Sequence, residues 1–340
     1  MKKHVNIPVF IPHLGCPNQC VFCNQKTITG RQAFEPDSII STINEALETL
    51  SPETEAEIAF FGGSFTGIDY SLMCHLLEIA YGYVKSGKVK SIRCSTRPDY
   101  INERVLRTLK KYGVSVIELG IQSIDEGVLA ASKRGHGFAE ESRAVKMVVD
   151  NGFFLVGQMM IGLPAATAES EIKTARFICE SGASAARVYP TVVFKDTELC
   201  LMAQNGIYSP LELEEAIERT ANVLKVFFSE KVPVIRIGLC ASENLSAPDT
   251  YFAGPNHSAL GELVENRIFY KIIFEKISAM DVQKGSEILV KVPKGALSKA
   301  IGQNKINKFR LISEFSLKSL KFSESPLIFG YDAECEERKK

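Results

Sequence analysis

The chain has 340 residues, 45% of them apolar and 24% charged, enough to bury a large core and unlike any low-complexity or fibrous class. Nothing approaches the roughly 18 consecutive apolar residues of a membrane helix, so no membrane partner is expected. The apolar run behind Met1-Lys2-Lys3 is short and broken by Asn6, Pro8, Pro12 and His13, which argues against an export signal and for a cytoplasmic location. Formal charge balances at 40 basic against 40 acidic residues, but between Val282 and Phe322 nine Lys or Arg face two Glu. A local excess of that kind suits either a polyanion or an ordinary solvated face.

In chain order, strands are expected at Ile7–Ile11, Glu57–Phe61, Ser91–Ser95, Ser115–Gly120, Phe154–Met160 and Ala185–Pro190. Helical periodicity falls between them, at Pro36–Leu50 with Asp37 as its cap, then Ser71–Val84, Asn102–Lys111, Glu140–Asn151, Glu169–Ser181 and Pro210–Glu230. Six strand–helix units imply a parallel sheet with right-handed crossovers, either doubly wound or wholly or partly closed into a barrel. The alternation stops near residue 243, where ASENLSAPDTYFAGPN reads as a boundary. Beyond it a helix at Ser258–Lys276 precedes a compact tail: strand Glu287–Val292, helix Ala296–Ile301, a turn at Gly302, helix Ile306–Phe315 and strand Leu317–Phe322. A last strand is expected at Leu327–Phe329, with the end, ECEERKK, frayed. The expected domains are therefore 1–243 and 244–340.

The unusual residues cluster just after the expected strands: Cys16, Gly62-Gly63-Ser64, Thr96-Arg97-Pro98, Gln122-Ser123 and Gly162-Leu163-Pro164. In parallel α/β folds the loops at strand C-termini share one rim, and ligands bind there. Cys16, Cys20 and Cys23 are spaced C-x3-C-x2-C, a run of thiolates suited to three corners of an iron–sulfur cluster. With His13 three residues earlier, a Cys3His zinc site is the rival. The other six cysteines have no such spacing and read as small buried or incidental residues.

This C-x3-C-x2-C loop after a first strand resembles the signature of the radical SAM enzymes. Further motifs follow in the order of the elongator-type branch of that family: FGGSF at 61–65, STRPDY at 95–100, LGIQS at 119–123, KRGH at 133–136, QMMIGLP at 158–164 and RVYPT at 187–191. The resemblance spans roughly residues 5 to 240. It implies a partial (β/α)6 barrel of TIM type. Three cysteines, Cys16, Cys20 and Cys23, would hold a 4Fe–4S cluster whose open iron binds S-adenosyl-L-methionine, cleaved to a 5′-deoxyadenosyl radical once a low-potential donor such as ferredoxin or flavodoxin has reduced the cluster. It further implies cofactor contacts at Gly62, Gly63, Ser64, Ser95, Arg97, Gln122, Met160 and Gly162, and a catalytic set of Gln122, Arg134, His136 and Tyr189. Ser64 stands where the family commonly has Glu. Taken singly these residues have ordinary readings: Arg97 a surface ion pair, His136 a loop or capping residue, Tyr189 a core residue.

Elongator subunits act on wobble uridine of tRNA and carry an acetyltransferase domain that the residues after 243 are too few to form. The stretch LSKAIGQNKIN at 297–307 instead resembles the helix–turn–helix of a KH module, whose GXXG loop clamps nucleic-acid backbone. Here the second glycine is Lys305. The expected RNA contacts are Lys299, Gly302, Lys305, Lys308 and Arg310, and the expected function is modification of a tRNA or rRNA nucleoside. Radical chemistry on a small molecule or porphyrin is the alternative, and a non-catalytic iron–sulfur or zinc RNA-binding protein is the third reading.

Overall fold

The structure is a computed structural model that describes residues 4–11, 16, 20–23, 34–51, 53–239 and 249–338. His13, Cys240 and the expected boundary at 243 lie outside these residues. Seven parallel strands form the main sheet: β1 (His4–Ile11), β2 (Glu55–Gly62), β3 (Ser91–Thr96), β4 (Val114–Gln122), β5 (Phe154–Ile161), β6 (Ala185–Pro190) and β8 (Val234–Ile237). They pair in sequence order, without the reversal that defines a doubly wound sheet, so the sheet curls into a partial barrel. The seventh strand escapes sequence reading because only four residues, VIRI, stand between Pro233 and Gly238.

The connecting helices are α1 (Ser38–Glu48), α2 (Tyr70–Lys85), α3 (Glu103–Lys111), α4 (Glu126–Ala131), α5 (Phe138–Asp150), α6 (Ala168–Glu180), α7 (Glu198–Gln204) and α8 (Leu213–Ser229). Alternate strand residues such as Ile58, Phe60, Ile117, Leu119, Leu155 and Met159 join Leu76, Leu106, Val148 and Ile178 of these helices in one core. Asp37 does not cap α1 as expected. Its carboxylate pairs with His75 at 3.0 Å instead.

The other set of strand positions carries charge. Glu118 is fully buried and accepts from Arg93 of β3 at 3.0 Å and Arg187 of β6 at 2.8 Å. Arg93 also donates to Glu57 of β2 at 2.8 Å, and Ser91 donates to the same carboxylate at 2.5 Å. Burial alone would raise the Glu57 carboxyl, but these hydrogen bonds outweigh it and hold it below the usual range. One carboxylate thus ties three strands across the concave face.

α9 (Leu260–Ser278) serves two cores. Its Leu260, Val264 and Ile268 pack with the barrel, while Phe269, Ile273 and Ile277 pack with the tail. The tail is a three-stranded sheet, β11 (Ser319–Ser325), β10 (Glu287–Pro293) and β12 (Glu334–Glu337), with α10 (Leu297–Ile301) and α11 (Ile306–Glu314) between β10 and β11. β10 runs parallel to β11 and antiparallel to β12. A short antiparallel pair joins β7 (Val193–Phe194), which follows β6, to β9 (Tyr251–Ala253), which follows β8.

Two expectations for the end fail together. Leu327–Phe329 is no strand, and Leu327 and Phe329 are 83% and 77% exposed. The segment read as frayed supplies β12: Cys335 pairs in register with Val290 and packs on the tail core, and Glu336 pairs with Lys291 at 2.8 Å.

Removing the charge of Glu118 leaves two buried guanidinium groups short of a partner. Glu118→Gln should therefore cost about 3 kcal/mol or more in urea unfolding, whereas Glu169→Gln on the surface of α6 should change stability by less than about 0.5 kcal/mol.

Candidate active site

The rim is assembled from the carboxyl ends of the strands. Val21, at 1% exposure, anchors the cysteine loop: its N–H donates to Ser132 at the end of α4, and its carbonyl accepts from Leu199 in α7. The Cys23 N–H closes a turn onto the Cys20 carbonyl at 2.9 Å. Cys20 is buried, and its sulfur receives two guanidinium groups, Arg97 and Arg134, each at 3.4 Å. Burial raises the Cys16 thiol, partly offset by a backbone hydrogen bond from Ser64 and by Arg97, and the Cys16 and Cys20 thiols sense each other's charge. Among the described residues, no three Cys, His, Asp or Glu side chains close around one point.

A buried brace stands behind Cys20. Arg97 makes a two-pronged pair with Asp99 at 2.9 Å on each arm and also donates to the Arg134 carbonyl. His136 sits 3.2 Å from Arg97 and 3.2 Å from Glu141, and its side chain is 1% exposed. Burial would lower the imidazole, yet its bonds to Asp99 and Glu141 win and raise it. Burial pushes the Glu141 carboxyl up to about 7 against the pull of His136. Burial acts in the same sense on Asp99, but His136 and Arg97 outweigh it and hold that carboxyl well below the usual range.

Arg134 is 4% exposed, donates to the Gly120 carbonyl at 2.5 Å, and makes no ion pair among the described residues. It follows α4, a helix too short for periodicity to reveal, which Asp125 caps through the Val128 N–H at 3.1 Å. Gln122 takes a left-handed backbone, φ 69°, at the β4 bulge, and its side-chain oxygen is buried with no hydrogen-bond partner. Ser64 bonds to Thr96 at 2.8 Å and accepts from the Arg97 N–H at 3.2 Å.

Other expected site residues lie apart from this group or are already engaged. Gly62 lacks a side chain for a packing reason: a Cβ there would fall 2.2 Å from the Ile11 carbonyl oxygen, at φ +110°. Gly63 donates to that same carbonyl at 3.2 Å. The Gly162 N–H donates to Glu171 at 2.7 Å and its carbonyl accepts from Tyr208 at 2.6 Å. Met160 is half-buried and pairs in register with Tyr189. Ser95 and Tyr189 belong to the concave charge network, Ser95 through Glu118 at 3.4 Å and Tyr189 through Arg187 at 3.2 Å. The His136 ring, expected in the catalytic set, is buried inside the brace between Arg97, Asp99 and Glu141. Asp99 and Glu141 were missed, although Asp99 lies inside a quoted motif, because Glu141 reads as an ordinary helix-surface acid. Arg93 and Glu118 were signalled by charge in the middle of apolar strands.

The sequence profile of the radical SAM superfamily matches residues 10–178, and that of the radical SAM C-terminal domain matches residues 183–269. The chain belongs to the radical SAM superfamily. It is 27% identical over 244 residues to the tRNA uridine(34) acetyltransferase of Methanocaldococcus jannaschii, covering 60% of this chain and 45% of that protein. Against human elongator complex protein 3 it is 28% identical over 190 residues, covering 50% and 35%. The fold matches archaeal Elp3 of Methanocaldococcus infernus at a TM-score of 0.63 and 22% identity, over 80% of this chain and 64% of that one. The chain thus spans about half the length of the archaeal acetyltransferase relatives or less of the human one. Within the barrel, this radical SAM enzyme is elongator-like.

Its family cofactors are a 4Fe–4S cluster and S-adenosyl-L-methionine. The donor set fits the cluster: three thiols on one loop, one buried beside two cations that favour an anionic occupant. The buried, unpartnered oxygen of Gln122 beside Arg134 fits a polar ligand at the same rim. A cavity of about 430 Å³ between the lobes, lined by residues such as Phe228, Phe269, Lys294 and Tyr331, is a separate feature on α8 and α9. Among the described residues no helix is long and apolar enough to cross a membrane.

Glu141 and His136 both bind protons more tightly folded than unfolded, so their contribution to stability is lost as pH rises. For Glu141 it is complete below the ordinary value of 4.5 and disappears as pH climbs through about 7. Urea stability should fall between about pH 5 and about pH 8, and Glu141→Gln should flatten most of that fall.

Proposed function

We propose that this chain cleaves S-adenosyl-L-methionine reductively to modify a nucleoside of RNA, in the cytoplasm, with electrons from a low-potential ferredoxin- or flavodoxin-type donor. Bound together, the cluster and S-adenosyl-L-methionine supply a 5′-deoxyadenosyl radical for hydrogen abstraction. Cys16, Cys20 and Cys23 would hold the cluster, Arg97 and Arg134 would steady it, and Gln122 would orient the methionine moiety. The tRNA-acting names of the archaeal relatives support the substrate class.

The observation that carries the RNA reading is the seat of the loop between α10 and α11. Gly302, Asn304 and Lys305 have φ of 82°, 53° and 62°, so Lys305 already holds the left-handed conformation of the glycine it replaces. Asn307 donates to the Asn266 carbonyl at 2.8 Å and bolts this loop to α9. Leu260, where α9 begins, packs against Gly238 at the carboxyl end of β8. Six residues of helix separate the two points, about 9 Å, so the loop lies within two turns of the end of α9 that meets β8. The tail lobe is read on this basis as a KH-like module.

Of the five basic or loop positions expected to meet RNA, two are otherwise engaged. Lys299 pairs with Glu265 at 2.7 Å, and Arg310 pairs with Glu314 while lying 4.6 Å over the Tyr270 ring. Lys305 and Lys308 make no ion pair among the described residues, and Ile306 and Phe309 beside them are 57% and 58% exposed. Cation and apolar surface together suit single-stranded RNA, through phosphates and stacked bases.

Replacing Lys305 and Lys308 by Gln should weaken RNA binding and reduce the salt dependence of binding by about 0.7 per lysine. Nucleosides of total RNA from deletion and parent strains, compared by mass spectrometry, should differ by one lost modification. No lost nucleoside together with no RNA retention would favour a small-molecule substrate.

A further inference from the structure

Arg134 is a buried cation with no ion pair among the described residues. Its guanidinium is 4% exposed, its Nε has no hydrogen-bond partner, and its remaining bonds go to the Gly120 carbonyl and the Cys20 sulfur. Arg97 beside it is different, because Asp99 neutralises it on two arms. An unpaired buried guanidinium costs several kcal/mol, and folds that retain one place an anion against it. Of the anions in reach, the Glu141 carboxyl feels Arg134 without bonding to it and is pushed up by burial to about 7, so the anion in direct contact is the Cys20 thiolate and whatever that thiolate carries.

We propose that Arg134, with Arg97, is the counter-charge that tunes the reduction potential of the cluster. This rests on the reading that Cys16, Cys20 and Cys23 hold a 4Fe–4S cluster. Three thiolates on a 2+ core give a net charge of −1, and gaining one electron from a reductant makes it −2, with no proton needed. Guanidinium groups 3.4 Å from a ligating sulfur stabilise the more negative state, since hydrogen bonds to the sulfurs and local charge set such potentials. They therefore shift the potential upward, toward what a cellular donor can reach. Arg134 supplies net charge, whereas Arg97, matched by Asp99, supplies mainly a directed hydrogen bond. The brace of Asp99, His136 and Glu141 keeps the Arg97 arm on the sulfur through fixed contacts. Arg134 thus acts through Cys20 as a positioning and tuning residue, and its effect is legible without turnover.

The test is anaerobic reconstitution with iron and sulfide, followed by iron analysis and dithionite titration monitored by electron paramagnetic resonance. Wild type, Arg134→Gln, Arg134→Lys, Arg97→Gln and the surface control Arg104→Gln are compared, with circular dichroism checking the fold. Arg134→Gln should move the midpoint potential to a clearly more negative value, Arg97→Gln by less, and Arg134→Lys and Arg104→Gln little. An Arg134→Gln protein that keeps its iron and the wild-type midpoint would overturn the proposal. If Arg134→Gln loses iron, Arg134→Lys should retain it, because charge is the property required; loss in both would overturn it as well. Wild type that takes up no iron would overturn the cluster assignment itself, a result distinct from an unchanged midpoint in a loaded variant.

Discussion

Two guanidinium groups buried against one cysteine sulfur impose the order found at the rim. Each is delivered from a different strand end, β3 for Arg97 and the loop after β4 and α4 for Arg134, and each is held by further contacts of its own. Arg97 is fixed by Asp99 and, through it, by His136 and Glu141. Arg134 is fixed by the Gly120 carbonyl at the β4 bulge. A loop of three thiols laid over this arrangement meets positive charge on its buried side, which is the environment that lowers the cost of a thiolate and of an anionic cluster.

The same economy of charge governs the concave face below. An open half-barrel cannot fill its interior with layered aliphatic side chains from every side, as a closed barrel does. Here Glu57, Arg93, Glu118 and Arg187 neutralise one another across β2, β3, β4 and β6. Polar cross-links in that position hold strand register while leaving a hydrophilic wall. Tyr189 and Ser95 are part of that wall.

The barrel was legible in the sequence because its two signals are strong: apolar strand runs that alternate with helical periodicity, and glycine, proline and cysteine at strand ends. What escaped was short or compensated. β8 has four residues, and α4 and α7 have too few turns to show a period. Glu141 and Asp99 act in a buried cluster: Arg97 is two residues from Asp99 and His136 five from Glu141, but only the fold brings the two pairs together. At the far end, an exposed Leu-Ile-Phe looked like a strand and an acidic run looked frayed. β12 forms where Ala333 and Cys335 reach the tail core and Glu336 meets Lys291 of β10, contacts that the acidic composition of the end does not announce. The basic excess of the tail was likewise only partly a binding signal, since Lys291, Lys299, Arg310 and Lys318 are paired within the lobe or to α9.

The tail and the rim are linked by one helix, α9, whose first half belongs to the barrel core and whose second half belongs to the tail core. A substrate held at the loop after α10 would therefore meet the rim at a distance set by helical rise, not by a flexible connection. The most direct test of the central claim is the formation of 5′-deoxyadenosine from S-adenosyl-L-methionine by anaerobically reconstituted protein. Reductant-dependent product from wild type and none from Cys20→Ala is the expected result. One equivalent of zinc with no cleavage, or cleavage retained in Cys20→Ala, would contradict it.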